Sequence, residues 1–203
     1  MERVITPPVE WAAASRPLDP RDESGDQYLV RVTPNGVLVV VADGVGHGRE
    51  AARAARTAIA LMADAEGDSV IGAVRRCHEG LRPTRGAALS LAWFGGARGD
   101  VTWIGIGSVA GVLVRSSDGA GRQEALLLRG GVLGRNLPAL RAETLTVFPG
   151  DMLVLATDGI HPRFALELRS TGSPQQVADH ILAAHGTGDD DALVVVARYR
   201  GGS

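Results

Sequence analysis

Four aspartates stand where an apolar run meets a loop rich in glycine or aspartate. Asp43 ends the run 36–42 and is followed by Gly44, Gly46 and Gly48. Asp158 ends the run 152–157 and is followed by Gly159. Asp189-Asp190-Asp191 leads into the apolar run 192–197, and Ser24-Gly25-Asp26 leads into 27–32. Converging carboxylates raise one another's pKa unless cations neutralise them. An all-oxygen donor set without accompanying His or Cys favours Mg²⁺ or Mn²⁺ over zinc. This many carboxylates suits two metals sharing a ligand.

Other chemistries fit less well. A dinucleotide loop needs a third glycine where the chain has Arg49, and no Gly-Lys-Ser/Thr is present for a nucleotide triphosphate loop. Gly105-Ile106-Gly107-Ser108 lacks the Gly-x-Ser-x-Gly spacing of a nucleophile elbow. Asp43 as a plain N-cap of the following helix is the simplest alternative to a ligand role. His47, in the glycine loop, is a candidate proton donor to a leaving group, against packing beside that loop as the plainer reading. Arg16 and Arg21 are candidate phosphate contacts, with solvated loop charge the simpler reading.

Positioning these groups requires strands that end together. Patterning predicts strands over 9–14, 27–32 and 36–42, the last two joined by the hairpin turn Thr33-Pro34-Asn35-Gly36. Helices are expected over 49–63 and 69–82, with Ser69 or Asp68 as N-cap of the second. Strands are then expected over 87–94, 100–107, 109–115, 125–128, 144–148 and 152–157. An irregular segment should run through Leu168. Ser173-Pro174-Gln175-Gln176 carries an N-cap, a first-turn proline and a capping box for a closing helix that ends at Gly186. Trp93 and Trp103 read as sheet packing, and the lone Cys77 as a buried structural thiol in a helix. His78 reads as a partly exposed structural residue.

The 203 residues, 45% hydrophobic and 22% charged with a net charge of −2, suit one globular domain. That charge argues against nucleic acid or a membrane surface as partner. No apolar run approaches a membrane span, residues 1–15 lack the pattern of a secretion signal, and a single cysteine allows no internal disulfide. The expected location is cytoplasmic.

The ordered motifs resemble metal-dependent protein phosphatases of type 2C, and within them the bacterial SpoIIE/RsbX branch. The resemblance is carried by Asp26 within Ser-Gly-Asp, Asp43-Gly44-Val45-Gly46-His47-Gly48, Ala156-Thr157-Asp158-Gly159-Ile160, and Asp190-Asp191 before a strand. It spans Val9 to Tyr199. It implies an α+β fold, a four-layer α-β-β-α sandwich of two antiparallel sheets flanked by helices, as a single domain over 1–203. It also implies two ions, Mn²⁺ or Mg²⁺, held by Asp26, Asp43, the Gly44 carbonyl, Asp158 and Asp190, with Asp189 the alternative register for the last. Asp43, Asp158 and Asp190 would form the catalytic centre, where a water activated by the metals attacks a phosphoserine or phosphothreonine in line. Many members carry Thr where this chain has Leu193.

The implied partner is a phosphorylated STAS-domain protein of the stressosome. Loops 16–25 and 129–143, the latter bearing Arg129, Arg135 and Arg141, would grip it, and the phosphatase itself would be a monomer. Two other functions remain in contention: a phosphatase-fold binding module without turnover, and a phosphohydrolase for a small metabolite.

Overall fold

The computed structural model describes residues 8–65, 67, 69–95, 99–116, 122–168 and 171–201. Residues 96–98 and 117–121, between strands expected at 87–94 and 100–107 and at 109–115 and 125–128, lie outside the described residues, as do Glu66 and Asp68 between the two expected helices.

In chain order the elements are β1 (Val9–Arg16), β2 (Asp26–Thr33), β3 (Gly36–Gly44), α1 (Arg49–Ala63), α2 (Val70–Leu81), β4 (Ala87–Gly95) and β5 (Asp100–Ile106). There follow β6 (Ala110–Val114), β7 (Gln123–Ala125), β8 (Leu128–Arg129), β9 (Glu143–Thr146), β10 (Met152–Ala156), α3 (Phe164–Glu167), α4 (Pro174–His185) and β11 (Ala192–Tyr199). One sheet has the order β1-β11-β10-β6-β7; the other has β2-β3-β4-β5-β8, with β9 also pairing to β5.

Side-chain alternation on the central strands builds three apolar layers, because successive residues of a strand point to opposite faces. Val37, Val39 and Val41 of β3 meet Leu193, Val195 and Leu153 of the other sheet between the two sheets. Leu38, Val40 and Ala42 face α1 and α2, against Ala55, Ala58, Met62, Val74 and Cys77. Val194, Val196 and Val154 face α4, against Val177 and Ile181. Both faces of each central strand are therefore covered, which is why these strands read as unbroken apolar runs. Burial also pushes the Cys77 thiol up to about 12, as suits an inert structural cysteine.

Local signals explain most boundaries. The β2–β3 hairpin turns at Pro34-Asn35, pairing Thr33 with Gly36. Ser69 accepts from the Gly72 amide and caps α2, and Ser173 and Gln176 form the capping box of α4. The strand expected over 125–128 is divided. β7 belongs to the first sheet and pairs with β6, while β8 belongs to the second and runs parallel to β5. The chain crosses between sheets at Leu126 and Leu127, so one short parallel pair interrupts the expected antiparallel order. The segment expected to be irregular holds the single turn of α3.

His78 departs from its expected exposure. It is buried, and its Nδ1 accepts a hydrogen bond from the Gly134 amide at 3.0 Å, pinning the 130–142 connection to α2. Leu133 in the same connection is fully buried and bridges to Ala87.

Candidate metal centre

Strand parity brings the acidic groups to one end of the layer between the sheets. Asp43 continues the parity of Val37, Val39 and Val41, and Asp191 that of Leu193 and Val195. Asp26 lies directly opposite Asp43 in the β2–β3 register. Thr157, one residue beyond β10, reaches across from the other sheet and donates to Asp26 Oδ2 at 2.7 Å, while the Leu193 amide donates to Thr157 Oγ1 at 2.9 Å.

Glycines let the backbone close in around these groups. A methyl group on Gly44 would lie 2.0 Å from the Ala51 carbonyl oxygen, so only glycine allows the end of β3 to meet the first turn of α1. A methyl on Gly159 would lie 2.0 Å from the Asp191 carbonyl oxygen, which fixes the Asp158 loop against the lead-in to β11. The N-cap of α1 is Gly48, in left-handed backbone (φ 71°) and without a side-chain cap. Asp43 is therefore not the cap of α1. It accepts instead from Ser108 Oγ at 3.0 Å.

Asp43, Asp158 and Asp190 line one open cavity of about 460 Å³, together with Val45, Gly46, Gly107, Ser108 and the 130–132 segment. Asp158 is exposed, Asp43 and Asp190 are half-buried, and Asp26 is buried behind them. Asp189 is exposed and lines a different cavity with His161, Arg163 and His185. The geometry thus groups Asp190, not Asp189, with Asp43 and Asp158. His47 is exposed and is not among the residues lining the acidic cavity.

Charge crowding is pronounced. Burial raises Asp26 to about 8, opposed by the Thr157 hydroxyl and reinforced by Asp43, Asp191 and Asp158. Burial likewise raises Asp43 to about 7, reinforced by Asp158, Asp190 and Asp191 and opposed by Ser108. Among the described residues no three His, Cys, Asp or Glu side chains close into a ready cage. They share a wall instead, and the donor set fits hard divalent cations, because it is all oxygen and its mutual repulsion is what a cation relieves.

Comparison with known proteins gives the chain a family and a fold. The family model described as Stage II sporulation protein E matches residues 33–200, most of the chain. The chain belongs to the SpoIIE family. That makes it a PP2C-type phosphatase domain by descent. It is 21% identical to the phosphoserine phosphatase RsbX of Bacillus subtilis (strain 168) over 175 residues, 86% of each protein. A chain solved in work on the bacterial stressosome, as a modular system adapted to control secondary-messenger signalling, superposes with a TM-score of 0.84 at 29% identity. The match covers 94% of this chain and 99% of that one. RsbX in complex with magnesium superposes with a TM-score of 0.84 at 18% identity, covering 98% of both chains, and shares the fold. The two-sheet sandwich flanked by helices is thus the PP2C architecture.

Neither of the two arginines considered for phosphate is among the residues lining the acidic cavity. Arg21 is exposed and paired with Asp19 at 2.8 Å. Arg16 is packed against Gly186, where an added methyl would meet its Nη2 at 2.6 Å. Of the arginines in the 129–143 segment, Arg135 donates to the Thr84 and Arg85 carbonyls, and Arg129 and Arg141 line a separate cavity beside Trp103. The contacts of Ser108, Thr157 and Arg85 emerge only from the fold. The guanidinium of Arg85 lies over Gly46, where an added methyl would meet Nη1 at 3.1 Å.

Proposed function

We propose that this chain is a metal-dependent phosphoserine/phosphothreonine protein phosphatase acting on a phosphorylated STAS-domain regulator of a stressosome or anti-sigma pathway. The observation that carries the reading is the shared cavity of Asp43, Asp158 and Asp190, with Asp26 directly opposite Asp43. The likeness, at 29% identity, to a chain solved in work on the bacterial stressosome, and the likeness to RsbX, support the substrate class.

Asp43, Asp158, Asp190, Asp26 and the Gly44 carbonyl would hold two divalent cations, Mg²⁺ or Mn²⁺. When bound, such ions supply an acidified water and neutralise charge on the phosphoryl group. The chain's own residues do the rest. Ser108 holds one Asp43 oxygen and Thr157 one Asp26 oxygen, which leaves the other oxygens directed by geometry and not by rotamer chance. Arg85, placed beside the Gly46 wall, would offer a fork of donors to the substrate phosphate. Gly130, Gly131 and Val132 line the same cavity as the carboxylates, and a protein substrate would dock over the 16–25 and 129–143 segments. Between their ends those segments lie outside regular structure, where recognition commonly resides.

The enzyme would act as a monomer in the cytoplasm, without nucleic acid or membrane. Among the described residues no helix is long and apolar enough to cross a membrane. The test is phosphate release from a phosphorylated STAS protein, from unrelated phosphopeptides and from nucleotides, with and without Mn²⁺. Metal-dependent release with preference for the STAS protein is expected. Release from nucleotides alone, or from none of them, would overturn the assignment.

A further inference from the structure

Asp191 is buried, yet it lies outside the acidic cavity's lining and both its oxygens are already engaged. Oδ1 accepts from the Leu18 amide at 2.8 Å and Oδ2 from the Gly25 amide at 2.7 Å. The two donors come from the β1–β2 connection, far away in sequence. The Gly25 peptide continues the chain of bonds: its carbonyl accepts from the Gly44 amide at 3.0 Å. Asp191, before β11 of one sheet, is thereby tied through Gly25 to Gly44 at the end of β3 in the other sheet. Gly25 adjoins Asp26, and Gly44 adjoins Asp43.

From this geometry we infer that Asp191 is a positioning residue: a carboxylate clamp that sets Asp26 and the Gly44 peptide and orders the 17–25 loop at the site's rim. The inference rests on the metal-centre reading for what is positioned, and on the hydrogen bonds alone for the clamp. Two backbone amides converge on one side chain, and each needs an acceptor when buried. A carboxylate satisfies both with charge-assisted bonds, whereas an amide of the same shape offers one acceptor and turns a donor toward the second amide. That need explains why a further negative charge is kept beside Asp26 and Asp43, where it adds to their repulsion. Space is equally constrained, since a methyl on Gly25 would lie 3.2 Å from Asp191 Oδ2 and 3.1 Å from the Ala51 Cβ.

The test compares wild type, Asp191→Asn and Asp190→Asn by two measurements. The first is limited trypsin cleavage at the exposed Arg21, within the clamped loop, in chelator. The second is calorimetric titration with Mn²⁺, which needs no substrate. The clamp requires Asp191→Asn to be cut at Arg21 about tenfold faster than wild type, with other sites unchanged, and to bind Mn²⁺ about tenfold more weakly. Asp190→Asn should lose Mn²⁺ binding and keep the wild-type cleavage rate. Unchanged cleavage in Asp191→Asn, or identical behaviour of the two variants, would overturn the clamp. Should Asp191→Asn fail to fold, Gly25→Ala crowds the same contact with every carboxylate retained and must reproduce the selective cleavage; without it the inference falls. Absence of Mn²⁺ binding by wild type would sink the metal-centre reading, while Arg21 cleavage would still decide the clamp.

Discussion

Asp26 and Asp43 face each other as directly opposed residues of the β2–β3 ladder, one carboxylate held by Thr157 and the other by Ser108. Like charges set directly across a ladder are destabilising. Both are raised far above the ordinary carboxylate range. The site is thus built at a cost in stability that a divalent cation would reverse.

Replacing either face of that cluster should show the trade directly. Asp43→Asn and Asp158→Asn are expected to lower metal-dependent turnover of an aryl phosphate by at least about a hundredfold. Asp43→Asn should also raise the melting temperature in chelator by a few degrees, because a charge leaves a crowded site. A variant with near wild-type rate at saturating Mn²⁺ would remove that residue from the centre.

The pH dependence follows with a definite sign. Asp26 and Asp43 titrate near 8 and 7 in the folded protein and near 4 when unfolded. Between those limits the folded state binds more protons, so metal-free stability should fall as pH rises from about 4 through about 8. Below the unfolded value this contribution is fully present. Saturating Mn²⁺ should reverse the trend over pH 6–8 and release protons on binding, measurable by calorimetry in buffers of different ionisation enthalpy. A melting temperature that rises over that range in chelator would contradict the assignment.

Ser108 separates an orienting hydroxyl from a nucleophile. It donates to Asp43, so Ser108→Ala should leave about a tenth to a third of the activity and raise the Mn²⁺ concentration needed for half-maximal rate. Complete loss at saturating Mn²⁺, with a covalent phosphoserine trapped in wild type, would instead make it the nucleophile.

Gly44 and Gly48 should differ sharply despite lying four residues apart. A methyl on Gly44 meets backbone at 2.0 Å, and Gly44→Ala should cost on the order of 3 kcal/mol or prevent folding. Gly48→Ala meets nothing within 4 Å, and its cost of about 1 kcal/mol comes from the left-handed backbone alone. Chemical denaturation of the two variants checks the order.

Among the arginines, Arg85→Ala should raise KM for aryl phosphate about tenfold, since its guanidinium borders the cavity wall. Arg129→Ala and Arg141→Ala should weaken activity on the phosphorylated protein and spare the aryl phosphate. Arg135→Ala should lower thermal stability, because its guanidinium bonds two carbonyls of the 84–85 turn. Equal loss on both substrates in Arg129→Ala and Arg141→Ala would end the recognition role of that segment.

Strand and helix placement was legible in the sequence because it is written in local patterns: buried apolar runs, the Pro34-Asn35 turn, and the Ser173 capping box. The sandwich and the acidic motifs were legible through their order and through family resemblance. Parity along β3 and β11 even determines, from residue number alone, that Asp43 and Asp191 point into the same layer as their apolar neighbours. What needed the tertiary structure is which groups meet. Strand pairing between residues far apart in sequence sets Asp26 opposite Asp43, and close approach of the sheets gives Asp26 to Thr157. In the aspartate run, Asp189 turns away, Asp190 lines the cavity and Asp191 takes two amides, a division that depends on where the chain enters β11. The roles of Ser108, Thr157 and Arg85 carried no local signal, since each acts only through a neighbour that the fold, and not the spacing along the chain, brings within reach.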